Sequence, residues 1–162
     1  SVGDLVEIDL GPATDDAFGD VGVGLAFGVA EEPVAVQQAR ETCRAVCGFA
    51  SSYKTVGELF VFSHAWAINN RFKLGKGGAI GHSCPLPQGP LGTAWPKAAR
   101  AAISLRRFQV HRLNPRRLQG IWALSPKVLI DGKNIGFEEM VFIDGDIKRV
   151  LGRDSLDQVG TY

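Results

Sequence analysis

Between residues 5 and 10 the chain reads Leu-Val-Glu-Ile-Asp-Leu, with Val6, Ile8 and Leu10 alternating against Glu7 and Asp9, the period of a half-buried strand. A second alternation, over 21–30, is cleaner. Val21, Val23, Leu25, Phe27 and Val29 fall on one face, and Gly22, Gly24, Ala26, Gly28 and Ala30 on the other. A face lined by glycine lets a helix, a strand or a ligand approach the backbone closely. The period then changes. Val36, Ala39, Cys43 and Val46 recur at helical spacing and predict a helix over 31–47, with Glu31 and Glu32 at its positive end, Pro33 in its first turn and Gly48 closing it. Alternation returns over 58–68, where Phe60, Phe62, His64, Trp66 and Ile68 share a face and predict a strand. A long Gly/Pro loop over 69–95 follows, then a short helix over 96–107 opened by Pro96 and strands over 108–113 and 120–130. A hairpin over 127–151, with turns at Asp131-Gly132 and Asp144-Gly145, completes the chain. This order predicts an α+β fold: one domain over 1–162, a mostly antiparallel twisted sheet and two or three helices. A start at Ser1 without Met or signal peptide predicts a domain excised from a longer protein.

Composition narrows the class. With 45% hydrophobic and 22% charged residues in 162, the chain is neither a disordered segment, a coiled coil nor a collagen-like repeat. No apolar run approaches the roughly 20 residues of a membrane helix, so no membrane partner is expected. The three cysteines, Cys43, Cys47 and Cys84, form no disulfide framework, which points to a reducing compartment or a secreted effector. Cys43 and Cys47 lie four apart with no His-x-x-His or second Cys pair beside them, so no metal is expected, and Cys43 reads as a core thiol.

A net charge of +1 conceals a strong asymmetry. Residues 1–58 hold ten acids and three bases, whereas 59–130 hold eleven bases and no acid. Such a block either packs on the acidic first third or gathers around an anionic partner, NAD or nucleic acid. His82 and His111, with Lys73, Lys76 and Arg112, are the residue types of a metal-independent ribonuclease: one imidazole takes the 2′-hydroxyl proton, the other protonates the leaving oxygen, and a cation holds the charge between them. The same block, without catalysis, would serve a nucleic-acid-binding module. A third pair, Cys47 with His64, has the makings of a thiol hydrolase. The string HAWAI resembles the HWAI of the lecithin–retinol acyltransferase-like thiol enzymes, with Ala65 inserted and their NCxxF segment absent.

In the last third, AWPKAARAA, FQVHRLNP, FEEMVF and DGDIKRVLG follow one another over about 60 residues. Together they resemble the C-terminal half of the mono-ADP-ribosyltransferase toxins, in which a glutamate opens a hydrophobic strand. Phe137 departs from that family, many of whose members carry Glu or Gln two before the glutamate, and no Ser-Thr-Ser motif is present. The resemblance implies an NAD-dependent ADP-ribosyltransferase or NAD-glycohydrolase-like effector. It makes Glu139 the catalytic carboxylate on the nicotinamide ribose, and His64 the ribose anchor. Arg71, Lys73 and Lys76 would contact the phosphates, and Thr93 would stand in for the missing motif.

Overall fold

In the computed structural model, which describes residues 3–11, 20–75, 80–84, 115–130 and 132–151, the two alternating N-terminal segments form a hairpin. β1 (Leu5–Leu10) and β2 (Val21–Ala26) pair antiparallel, from Leu5 opposite Ala26 to Leu10 opposite Val21. Two helices follow, α1 (Val34–Phe49) and α2 (Val56–Asn69). The rest is strand: β3 (Lys73–Leu74), β4 (Gly81–Cys84), β5 (Gly120–Leu124), β6 (Lys127–Ile130), β7 (Lys133–Gly136), β8 (Glu139–Asp144) and β9 (Ile147–Leu151). They build a three-stranded sheet β3-β6-β7 and a four-stranded sheet β4-β5-β8-β9. All the pairings are antiparallel, and the fold is α+β.

α1 is the centre of the core. Its stripe of Val36, Ala39, Cys43 and Val46 is fully buried, and faces Trp122 and Leu124 of β5, Val128 of β6, Ile135 of β7 and Val141 of β8. The helix begins after Pro33 and runs through Gly48 to Phe49, because the Ala50 N–H still reaches the Val46 carbonyl before the backbone turns extended. Glu31 and Glu32 precede the helix, and Glu32 pairs with Arg40 one face along.

The expected strand over 58–68 is instead α2. Its start is a capping box: the Glu58 N–H donates to Thr55 Oγ1, and the Thr55 N–H donates to the Glu58 carboxylate. The aromatic alternation over these residues contains i,i+4 pairs as well as i,i+2 pairs, and the helix uses the former. Phe62 is near Trp66, and Phe60 lies against His64 with the rings tilted. Val56, Leu59, Ser63 and Ala67, at helical spacing, are the buried face. The expected loop over 69–95 contains β3 and β4. The expected strand over 120–130 is two strands, broken at Ser125-Pro126 and placed in different sheets. The region 127–151 is two hairpins, with Gly145 at positive φ in the second turn. The helix expected over 96–107 and the strand expected over 108–113 lie outside the described residues.

The glycine face of β2 is covered by strands. A Cβ on Gly24 would sit 2.7 Å from the Gly136 carbonyl oxygen and 2.8 Å from Ile135 Cγ1, both on β7. Gly22 forms a two-bond bridge with Glu138: the Glu138 N–H donates to the Gly22 carbonyl at 2.8 Å, and the Gly22 N–H donates back at 3.2 Å. Gly24→Ala should therefore destabilise the protein by about 1–3 kcal/mol, the usual cost of overpacking. Urea unfolding checks this, with a lowered midpoint at an unchanged slope as the expected result.

Candidate functional site

The bridge between Gly22 and Glu138 places an acid against two groups from elsewhere in the chain. Asp20, just before β2, is held by its N–H, which reaches Met140 Sδ at 3.1 Å. His82, in β4, is paired with Ala123 of β5, which is paired in turn with Met140 of β8. His82 Nε2 lies 3.2 Å from Asp20 Oδ2 and 3.7 Å from Glu138 Oε1, with the three side chains 19%, 13% and 9% exposed. Nδ1 of the same ring is 3.9 Å from Cys84 Sγ. Asp9 stands opposite Gly22 in the β1–β2 ladder, so Asp9, Gly22 and Glu138 form one row across β1, β2 and the residue that precedes β8. Beside it, Lys127 Nζ donates to Glu7 at 2.7 Å.

Gathering carboxylates in a shielded place raises their proton affinity. Burial pushes Glu138 up to about 7, with repulsion from Asp20 adding to it and attraction to His82 opposing it. Asp9 is raised by burial and by the nearby charge of Asp20. Burial alone would push His82 down, but its hydrogen bond with Asp20, contact with Cys84 and the charge of Glu138 win, and its pKa rises to about 10.

One carboxylate oxygen is left over: Glu138 Oε1 is buried without a hydrogen bond. Single donor atoms of Asp20, His82 and Glu138 all lie within 4.8 Å of one another. Two carboxylates and an imidazole are the donor set of a hard or borderline divalent cation, and such an ion would give the orphaned oxygen its partner. These residues fit a metal, and the expectation that no metal is involved is corrected on that ground.

The residues singled out in the sequence are not brought together in this way. Glu139 is buried under α1 beside Cys43 and Cys47, not in a nucleotide cleft. His64 bonds through Nδ1 to the Phe60 carbonyl of its own helix at 3.0 Å and lies tilted against the Phe60 ring. Cys47 lies in α1, against Cys43. Arg71 and Lys73 line an open groove of about 450 Å³ with Gln38, Phe72 and Leu129. Lys76, Thr93 and His111 lie outside the described residues. His82 was singled out for a partnership with His111, whereas its neighbours in the fold are acids. Asp20 and Glu138 carry no local motif. The one hint of them is the glycine face of β2, whose Gly22 admits Glu138.

No protein-family model matches the chain, and no curated protein matches it. Solved structures do. A prolidase from Pyrococcus furiosus superposes with a TM-score of 0.65 at 17% identity, over 93% of this chain and 42% of that protein. A methionine aminopeptidase from Thermotoga maritima gives 0.65 at 17% identity, over 92% of this chain and 64% of that one. An X-Pro aminopeptidase from Thermotoga maritima gives 0.62 at 16% identity, over 92% and 39%. The chain thus spans less than two thirds of each of these proteins. What it shares with them is the fold, known as the pita-bread fold. The resemblance to ADP-ribosyltransferase toxins is thereby overturned, and with it the NAD, transferase and toxin readings that rested on it. The alternative of a ribonuclease or nucleic-acid module has no support in this fold either.

In the metal-free protein the two large shifts act in the same direction. A group whose pKa is higher folded than unfolded binds its proton more tightly in the native state, so stability falls as pH rises. Glu138 spreads that loss from pH 4.5 to about 7, and His82 from 6.5 to about 10. Denaturant midpoints of chelator-treated protein should fall across this range. His82→Ala should flatten the alkaline half of the decline. An identical slope in the variant would show that His82 is not the titrating group.

Proposed function

We propose that this chain is a metal-dependent peptide-hydrolysing domain acting near the amino terminus of its substrate, with one divalent cation held by Asp20, His82 and Glu138. The observation that carries the reading is the convergence of these three donors, with an unpartnered buried oxygen among them, on a fold shared with aminopeptidases. The comparisons support the peptide substrate: prolidase and X-Pro aminopeptidase are named for proline-containing substrates, and methionine aminopeptidase for an amino-terminal methionine.

The ion, when bound, supplies Lewis-acid polarisation of the scissile carbonyl and stabilises the charge that develops on its oxygen. The chain's own groups set the conditions for this. Asp20 and Glu138 contribute one anionic oxygen each. His82 offers Nε2 once that nitrogen has released its proton, while Cys84 at Nδ1 limits how the ring rotates. Asp9, next in the row, holds a proton more firmly than an ordinary aspartate, because of burial and the nearby charge of Asp20. The Lys127–Glu7 pair keeps the adjacent cation occupied with a carboxylate of β1.

Mn²⁺, which prefers oxygen and imidazole to thiolate, is the probe for this site. The wild-type chain should bind one equivalent by calorimetric titration. His82→Ala and Glu138→Gln should each weaken binding by about 100-fold or more, since loss of a ligand's outer-shell partner alone costs roughly 10–100-fold. The loaded protein should cleave a peptide with an amino-terminal methionine or an X-Pro dipeptide, and a chelator should abolish the cleavage. Mn²⁺ binding that both variants leave unchanged, or a loaded wild type inert toward both peptide types, would overturn the reading.

A further inference from the structure

Glu138 and Glu139 are consecutive, and only the first belongs to the site above. Glu139 opens β8 and directs its side chain under α1, where it is 3% exposed. There it meets Cys43 and Cys47, 0% and 1% exposed, which the four-residue spacing sets on one face of the helix. The two sulfurs and a Glu139 carboxylate oxygen all lie within 4.8 Å of one another. Glu139 Oε2 is fully buried and has no hydrogen-bond partner. No Lys, Arg or His is among the described partners of that carboxylate. Leu124, paired with Glu139 across β5 and β8, brings a further oxygen: its carbonyl is 3.5 Å from Cys43 Sγ.

An unpartnered carboxylate oxygen in a protein core is costly, and two thiols are weak hydrogen-bond donors that do little to offset it. We propose that Cys43, Cys47 and Glu139 form a second, buried metal site for a thiophilic divalent cation such as Zn²⁺. The donor chemistry separates it from the first site. Two sulfurs select softer ions, where Asp20, His82 and Glu138 offer only oxygen and nitrogen. The charge balance is favourable: two thiol protons leave for solvent as one doubly charged ion enters, so the net charge of the core does not change. Closure on all sides makes this a structural site, pinning α1 to β8 directly behind Glu138. A ligand pair four apart on one helix needs no second Cys pair in the sequence, because the third donor comes from a strand more than ninety residues away. The inference stands apart from the peptidase reading, since it involves none of the same side chains.

Because the site is enclosed, the ion enters during folding, and the test begins from chain unfolded in denaturant with chelator. Refolded with Co²⁺ as the probe, the wild type should show a thiolate-to-cobalt charge-transfer band, which the first site cannot produce. The band should persist in His82→Ala, where the first site is disabled. It should vanish in the Cys43→Ala/Cys47→Ala double variant, while circular dichroism verifies that the helices have formed. Glu139→Gln should retain the band but bind at least tenfold more weakly. Refolding with Zn²⁺ should raise the melting temperature of His82→Ala above that of its metal-free form. Should the double variant fail to fold, the wild-type band and the His82→Ala melting shift decide. A wild type without the band, or a band that survives loss of both cysteines, overturns the second site and leaves the Mn²⁺ result untouched.

Discussion

The pair of backbone hydrogen bonds between Gly22 and Glu138 is the constraint on which the rest of the arrangement depends. It ties the N-terminal hairpin to the start of β8, joining elements that belong to different sheets. The approach is close: a Cβ at residue 22 would come within 3.0 Å of Glu138 Cβ, tight enough that Glu138 would have to shift. With the hairpin fixed at this point, Asp20 is delivered to His82, and Asp9 is set one strand further along the same row. The same bridge sets the register of β8, so that Glu139 faces α1.

Two neighbouring glutamates therefore meet two different environments. Glu138 joins an aspartate and an imidazole at a partly shielded edge, where burial and the charge of Asp20 raise the proton affinity of Glu138, while the hydrogen bond with Asp20 and the neighbouring acid raise that of His82 against the effect of burial. Glu139 enters the core between two sulfurs. In each place one buried carboxylate oxygen makes no hydrogen bond. Buried polar atoms are nearly always satisfied in native proteins, so two orphaned oxygens on adjacent residues point to ligands rather than to loose packing. Cations are the ligands that carboxylates, imidazole and thiols share, and the donor types sort them into a harder and a softer one.

The acid-free stretch over 59–130 has a more ordinary disposition than its composition suggests. Among the described residues, Lys127 pairs with Glu7 of the acidic first third, and Arg117 donates to the Tyr53 carbonyl. Arg71 and Lys73 lie at the open groove beside α1, away from the Asp20–His82–Glu138 cluster. The chemistry gathers instead around acids, which composition alone had offered only as neutralising partners for the basic block.

The α+β class, the two N-terminal strands, α1 with its buried stripe and the Cys43 core position were all legible in the sequence. Each is written in a local period; α1 buries its apolar stripe, whereas the hairpin leaves Val6, Ile8 and Leu10 exposed and buries the glycine face of β2 instead. α2 was misread because its aromatics satisfy two periods at once. The capping box at Thr55 and Glu58, together with the buried spacing of Val56, Leu59 and Ser63, carried the decisive signal. The division of 120–130 into strands of different sheets followed from tertiary pairing around Ser125-Pro126. Neither donor cluster was legible. Asp20, His82 and Glu138 are separated by more than fifty residues at each step, as Glu139 is from the cysteines, and no local pattern records which strands will be neighbours. The chain alone determined where strands and the first helix could form. Only the packing of a glycine-faced strand against the start of β8 decided which acids would share a site, because that choice rests on backbone approach distances rather than on any residue's own propensity.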